Sequence, residues 1–170
     1  MQQYYCRGMI VTLRQANETD IDWIFDACQD AEIQRWTMVP KPYSRTHAQE
    51  FVKTASIENS KFVIVDAATQ LGLGTIGVHC VSDETGEASA GYWVAPWARR
   101  QGVATQALQQ LVTHARTLSG ASTLTLEISP GNTASRGTAA KSGFIVVRTR
   151  PGSCHDGETP TDGLTYSLTL

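Results

Sequence analysis

The sequence has no run of ~18 apolar residues, so no segment reads as a membrane-spanning helix. Its opening stretch, MQQYYCRGMIVTLRQ, lacks the apolar core of a signal peptide. Neither charge is in excess: 14 Lys and Arg against 16 Asp and Glu leave a formal charge of -2, too little basic field to hold a nucleic-acid backbone. Cysteine is sparse. The four, Cys6, Cys28, Cys80 and Cys154, form no C-x-x-C pair and have no histidine at ligand spacing, which points to free thiols in a reducing compartment and to no metal. Internal repeats, charge blocks and low-complexity linkers are missing too. The expectation is a cytoplasmic protein with neither membrane nor nucleic acid among its partners. Any anion it binds must be held locally.

With 170 residues, 41% apolar and 18% charged, the chain is expected to form one globular domain over 1–170. MIVTLRQA alternates as a strand, and NETDIDWIFDACQD follows as a helix that Asn17 or Thr19 caps. The prolines of RWTMVPKPYS predict a stiff loop, and Ser44 then caps a second helix. KFVIVDA, LGLGTIGVHCVS and GEASAGYWVAP read as strands of an antiparallel meander that Pro96 ends. From Gly102, Ala104, Ala107, Leu108, Leu111, Ala115 and Leu118 line one face of a helix closed by Gly120. STLTLEIS is a strand, NTASRGTAAKSG a short helix, and FIVVRTR and LTYSLTL final strands. PGSCHDGETPTDG between them is expected to be the least structured part.

The stretch ARRQGVA, 98–104, carries the strongest chemical hint. A helix start presents backbone N–H groups without intrahelical partners and a partial positive charge, and a glycine there lets an oxyanion approach the main chain. Gly102 and Ala104 keep the approach clear, and Arg99 and Arg100 add charge. The phosphate loop G-x-x-x-x-G-K-[ST] is absent. GLGTIG at Gly72, Gly74 and Gly77 imitates a dinucleotide fingerprint but runs on into a strand, whereas that fingerprint must open a helix.

The order AGYWVAP, ARRQGVA, long helix, LTLEISPGNTASRGTAAKSGF resembles the GNAT superfamily of acyl-CoA-dependent N-acetyltransferases. The family signature, Gln or Arg, two residues, Gly, one residue, Gly or Ala, matches Arg99, Gly102 and Ala104. LRQANETDIDWIFDACQDAEIQRW, with Asn132, Ser135, Lys141, Gly143 and Phe144, is similar to the branch of ribosomal-protein N-terminal alanine acetyltransferases. The resemblance implies an α+β fold, a central mixed, splayed, mostly antiparallel sheet flanked by helices, with acetyl-CoA in the split after the strand ending near Val94. It implies that the backbone of Trp93, Val94 and Ala95 pairs with the pantetheine arm. The amides of Gln101, Gly102, Val103, Ala104 and Thr105 would face the pyrophosphate, with Arg99 and Arg100 nearby. Asn132 would reach the pantetheine, and Ser135 the thioester sulfur.

An amine that attacks a thioester must be neutral. An α-amino group of pKa ~8 is roughly a tenth neutral at pH 7, whereas a lysine amine near ~10.4 carries a handicap of about 4–5 kcal/mol, so a protein N-terminus needs only a mild base. Glu87, on the same strand face as Ser89 and Gly91, is the candidate base, with Glu127 second. The branch often has a glutamate at the position of Ser89, and many GNAT enzymes, though often not this branch, have a tyrosine proton donor at that of Ala139. Ser135 is then the nearest donor to the leaving sulfur. Trp36, Met38 and Tyr43 are expected to wall the acceptor side. His47, His79 and His114 are assigned packing or surface roles, and Cys154, His155 and Asp156, being consecutive, cannot converge as a triad. The expected reaction moves an acetyl group to a primary amine, a protein N-terminus first and a small amine second. A non-catalytic acyl-CoA-binding domain is the third reading, and a homodimer is a possible state.

Overall fold

The computed structural model describes residues 9–170; Cys6 lies outside them. Seven strands form one sheet: β1 (Val11–Arg14), β2 (Lys61–Asp66), β3 (Gly72–Val81), β4 (Glu87–Val94), β5 (Thr123–Ile128), β6 (Ile145–Asp156) and β7 (Thr159–Thr169). Their order is β1-β2-β3-β4-β5-β7-β6, antiparallel throughout except for the parallel pair β4 and β5. The helices are α1 (Ile21–Ala27), α2 (Ala31–Trp36), α3 (Arg45–Ala55), α4 (Val103–Ala115) and α5 (Thr133–Lys141). Helices α1 and α3 pack together over one sheet face, and α4 crosses β1, β3 and β4 on the other, with α5 beside it.

Local chemistry sets most of the helix starts. Asn17 Oδ1 accepts from Thr19 N (2.9 Å) while Asp20 Oδ2 accepts from Asn17 N (2.9 Å). Ser44 and His47 close α3 in the same reciprocal way. Asp20 is buried and meets Arg14 at 2.7 and 2.8 Å and Trp23 Nε1 at 2.9 Å. Burial works against its charged form, but Arg14, the Asn17 amide and Trp23 outweigh it and hold the carboxyl below the usual range.

The helix read across 17–30 is in fact a 3₁₀ turn at Glu18–Asp20 followed by α1, and Asp30 then starts α2 afresh by accepting from Ile33 N (3.0 Å). A second difference is larger. The segment 151–163, expected to be irregular, belongs to the long β6–β7 hairpin. The register jumps between Arg150 and Cys154, where the Pro151–Ser153 bulge takes up the residues unsuited to a ladder, and Gly152 N is held by Asp162 Oδ1 (3.1 Å). Asp156 and Thr159 pair around a two-residue turn whose Gly157 has φ of 65°.

The core is continuous across the β4–β5 junction: Ile64, Leu73, Leu108, Leu111 and Leu124 are fully buried. Truncating one such leucine to alanine would cost about 2–5 kcal/mol. The free edge of β1 is closed by α4. Gln106 donates to Met9 O (3.0 Å) and accepts from Val11 N (3.2 Å), and Gln110, one turn on, donates to Val11 O (2.8 Å) and accepts from Leu13 N (3.3 Å).

Candidate active site

Strands β4 and β5 run side by side from Glu87↔Thr123 to Ala90↔Leu126 and then part. Beyond that point β4 continues to Val94 with β3 alone, and β5 to Ile128 with β7 alone. The parting opens a cleft of about 1140 Å³ lined by β3, β4, β5, α2, α5, the start of α4 and the β6 bulge. That is larger than an ordinary small-molecule pocket, and fits a bulky cosubstrate together with its acceptor.

Alternation decides which backbone groups face the gap. Ala95 N donates to Leu73 O (2.8 Å), Ala95 O accepts from Ala98 N (2.9 Å), and Trp93 O lies against Gly74. Trp93 and Ala95 are therefore turned toward β3, and the exposed main-chain groups belong to Tyr92 and Val94. Of the three backbone positions expected to pair with a pantetheine arm, Val94 remains; Ala95 is buried with both backbone groups used.

The mouth of α4 is unlike those of α2, α3 and α5, whose N-cap side chains each accept a main-chain N–H. Gly102 is its N-cap, has φ of 76°, and offers no side-chain cap. A Cβ there would meet nothing closer than Gln106 Nε2 at 3.9 Å, so the glycine is demanded by its backbone conformation and not by crowding. Arg100 also holds a positive φ, 61°, which non-glycine residues rarely adopt. Gly102, Val103, Ala104 and Thr105 line the cleft, whereas Gln101 is exposed and its side chain donates back to Trp97 O (3.1 Å). The two arginines differ. Arg99 Nη2 is 2.5 Å from Asp30 Oδ1, so its charge is largely engaged by the α2 cap. Arg100 lines the cleft, exposed and without an ion pair among the described residues.

Across the gap, Asn132 Oδ1 caps α5 by accepting from Ser135 N (3.1 Å), leaving its amide N–H groups to face the cleft. Ser135 lines the cleft one turn on, as expected. The sequence reading missed its neighbour. The Tyr92 hydroxyl is buried without a hydrogen-bond partner among the described residues and stands beside the Ser135 and Thr138 hydroxyls. Burial raises its pKa, with those two hydroxyls opposing. The alternation of AGYWV, which sets Tyr92 opposite Gly91 and Trp93, was the available signal.

Glu87 is not at the gap. It sits at the closed end of the β4–β5 pair and binds Arg148 through both oxygens (2.7 and 2.8 Å), which holds its carboxyl below the usual range. The base expected there does not stand at the gap, and the guanidinium bound to both its oxygens makes it a weaker base. Glu127, the first β5 residue past the parting, does line the cleft and accepts from Ser153 Oγ (3.1 Å) and Thr165 Oγ1 (3.0 Å).

Trp36 and Met38 line the cleft, Met38 80% exposed, and Trp36 Nε1 donates to Glu32 Oε2 (2.9 Å). Tyr43 does not. It is 7% exposed, packed against His47 and beside Cys28, whose thiol burial pushes up to about 12. Its ring is core. Cys28, Cys80 and Cys154 are free thiols. Among the described residues no group of three His, Cys, Asp or Glu side chains is placed to hold a metal, and no helix is long and apolar enough to cross a membrane.

Residues 11–145 match the model of the acetyltransferase (GNAT) domain. No curated protein matches. Among solved structures, the chain superposes on RimL, a ribosomal L7/L12 α-N-protein acetyltransferase in complex with coenzyme A, with TM-score 0.82, 18% identity and 94% of each chain covered. Similar agreement holds for a spermidine N-acetyltransferase from Vibrio cholerae in complex with CoA and spermine (TM-score 0.78, 17% identity, 94% of this chain and 95% of that one). The microcin C7 self-immunity acetyltransferase MccE in complex with acetyl-CoA and AMP gives TM-score 0.80 at 15% identity, over 94% of this chain and 92% of that one. With the family model spanning most of the chain and the splayed sheet in place, this protein belongs to the GNAT acetyltransferases.

Proposed function

We propose that the protein transfers an acetyl group from acetyl-CoA to the α-amino group of a protein or peptide N-terminus, by direct attack with both substrates bound. The observation that carries the cosubstrate is the uncapped α4 mouth opening onto the parted strands. The residues there suit a diphosphate and a pantetheine arm: free amides at Gly102 to Thr105, the Arg100 charge, the outward backbone of Tyr92 and Val94, and the Asn132 amide N–H groups. Acetyl-CoA supplies an activated acyl carbon whose leaving group is a thiolate. Ser135 would hydrogen-bond that thiolate, supported by its place beside the Tyr92 hydroxyl, and Trp36 and Met38 would border the acceptor.

The α-amino acceptor is favoured by the charges of the cleft. A polyamine carries several cations, whereas the two cleft-lining carboxylates, Glu32 and Glu127, already accept hydrogen bonds from this chain's own side chains. A single ammonium of pKa ~8 asks less of the site than a row of them. The likeness to an α-N-protein acetyltransferase agrees with this reading, although spermidine and microcin enzymes share the fold. The test is mass spectrometry of a mixture of peptides, polyamines and small amines incubated with acetyl-CoA. Acetyl groups on peptide α-amines are expected, and acetylation confined to polyamines or small amines would overturn the acceptor assignment.

A further inference from the structure

We infer that His79 is the base that takes the proton from the attacking amine, an inference that rests on the transferase reading above. Val78 pairs with Ala90 and Cys80 with Ser89, so His79 is the bulged residue of β3 and has no partner across the strands. Its side chain lines the cleft and is exposed to solvent. Its Nε2 lies 2.6 Å from where a Cβ on residue 91 would stand, so only glycine at that position lets the imidazole lie over β4. Gly91 is also the first β4 residue past the parting. On the opposite face of the strand the next residue, Tyr92, turns its hydroxyl toward Ser135. The imidazole and the serine hydroxyl thus bracket one short piece of β4 from its two faces, so that an amine can enter on one side and a thiolate leave on the other.

The carboxylates nearby are poorer choices. Glu127 and Glu32 already accept hydrogen bonds, Glu32 also lies 3.6 Å from Arg35, and Glu87 is locked to Arg148 away from the gap. The imidazole makes no hydrogen bond among the described residues, and an intrinsic pKa of ~6.5 matches an amine of pKa ~8 far better than a carboxylate does. Lys61 on β2, held by Glu58 at 3.0 Å, is the charged group beside it; on the β4 side Gly91 and Ser89 bring no charge, and Glu127 of β5 lines the same cleft. Partial burial of the ring against the strands and then Lys61 lower the imidazole pKa, which favours the neutral form that can accept a proton.

The step balances with the two substrates alone. The ammonium gives one proton to the His79 imidazole, the freed lone pair forms the C–N bond, and the C–S bond breaks as the pair of electrons leaves on sulfur. The second amine proton ends on the thiolate, and His79 returns its own to solvent. The test compares wild type with His79→Gln and His79→Ala, using a peptide acceptor that the wild type acetylates. At pH 7, kcat/KM is expected to fall about 100- to 1000-fold with acetyl-CoA affinity unchanged, and the acid limb below pH ~6.5 to give way, in the variants, to one set by the amine's own titration near ~8. Free imidazole should restore part of the His79→Ala rate. Unchanged rates with the acid limb retained would overturn the inference and leave the transferase reading intact. A wild type that binds acetyl-CoA yet releases no thiol with any amine would overturn both.

Discussion

The two kinds of helix mouth in this molecule are built from opposite principles. At Asn17, Asp30, Ser44 and Asn132 a side-chain oxygen accepts a main-chain N–H, and the helix start is closed from within. At Gly102 no side chain does so, and the same class of amides faces the cleft. A closed start puts its hydrogen bonds into stability, whereas an open one keeps them for a ligand. The difference therefore predicts that mutations at the first kind move the melting curve and mutations at the second move the binding curve.

The largest effect is expected at the most tightly closed start. Asp20→Asn should lower stability by about 3 kcal/mol, since it removes one partner of a largely buried ion pair that also fixes Asn17 and Trp23. Because the Asp20 pKa is lowered in the fold, its contribution is present above the unfolded carboxyl value near ~4 and is lost as pH falls through the lower folded one. Urea melts from pH 7 down to pH 2.5 should show a shallower acid decline in the variant than in wild type. An equal decline would place the acid sensitivity elsewhere.

The open start is tested next. Ala104→Glu suits a helix N-terminus but sets a carboxylate before the free amides, so acetyl-CoA affinity should fall roughly 30-fold, about 2 kcal/mol, with no loss of stability. Calorimetric titration that found wild-type affinity would remove the diphosphate from this mouth. Gly102→Val would be a poor probe, because φ of 76° makes any β-branched residue strained there. Ser135→Ala should slow turnover about tenfold while leaving acetyl-CoA affinity within twofold. Equal kcat values would make Ser135 a bystander of the leaving thiolate. The smallest effect belongs to Ser44→Ala, expected to cost about 1 kcal/mol of stability and nothing in acetyl-CoA binding, which thermal melts with and without the cosubstrate would show.

Much of this contrast was legible beforehand. Asn17 and Ser44 as caps and Gly102 at the start of α4 stand where they were read, and the apolar stripe holds from Ala107 to Ala115, where the helix ends short of Gly120. The hairpin through 151–163 was not, since its Pro, Gly and charged residues carry little strand propensity and the ladder is supplied by β7. Asp-Gly at 156 and 157 was the overlooked hint. The site divides in the same way. Asn132 and Ser135 follow from position on a helix start, but Glu87 and Tyr43 were misplaced, one by an ion pair to a residue 61 positions away and the other by burial against Cys28 and His47.

Sequence alone determined the order of the strands and of the helices other than α2, the caps at Asn17 and Ser44, and the glycine whose backbone opens α4, because these depend on periods of two and 3.6 and on groups a few residues apart. Only the tertiary structure decided where β4 and β5 part, which β4 carbonyls and amides face the gap, and that the β3 bulge lays His79 over Gly91. Those features depend on the register between strands distant in the chain. A shift of one residue would have turned every one of those groups the other way.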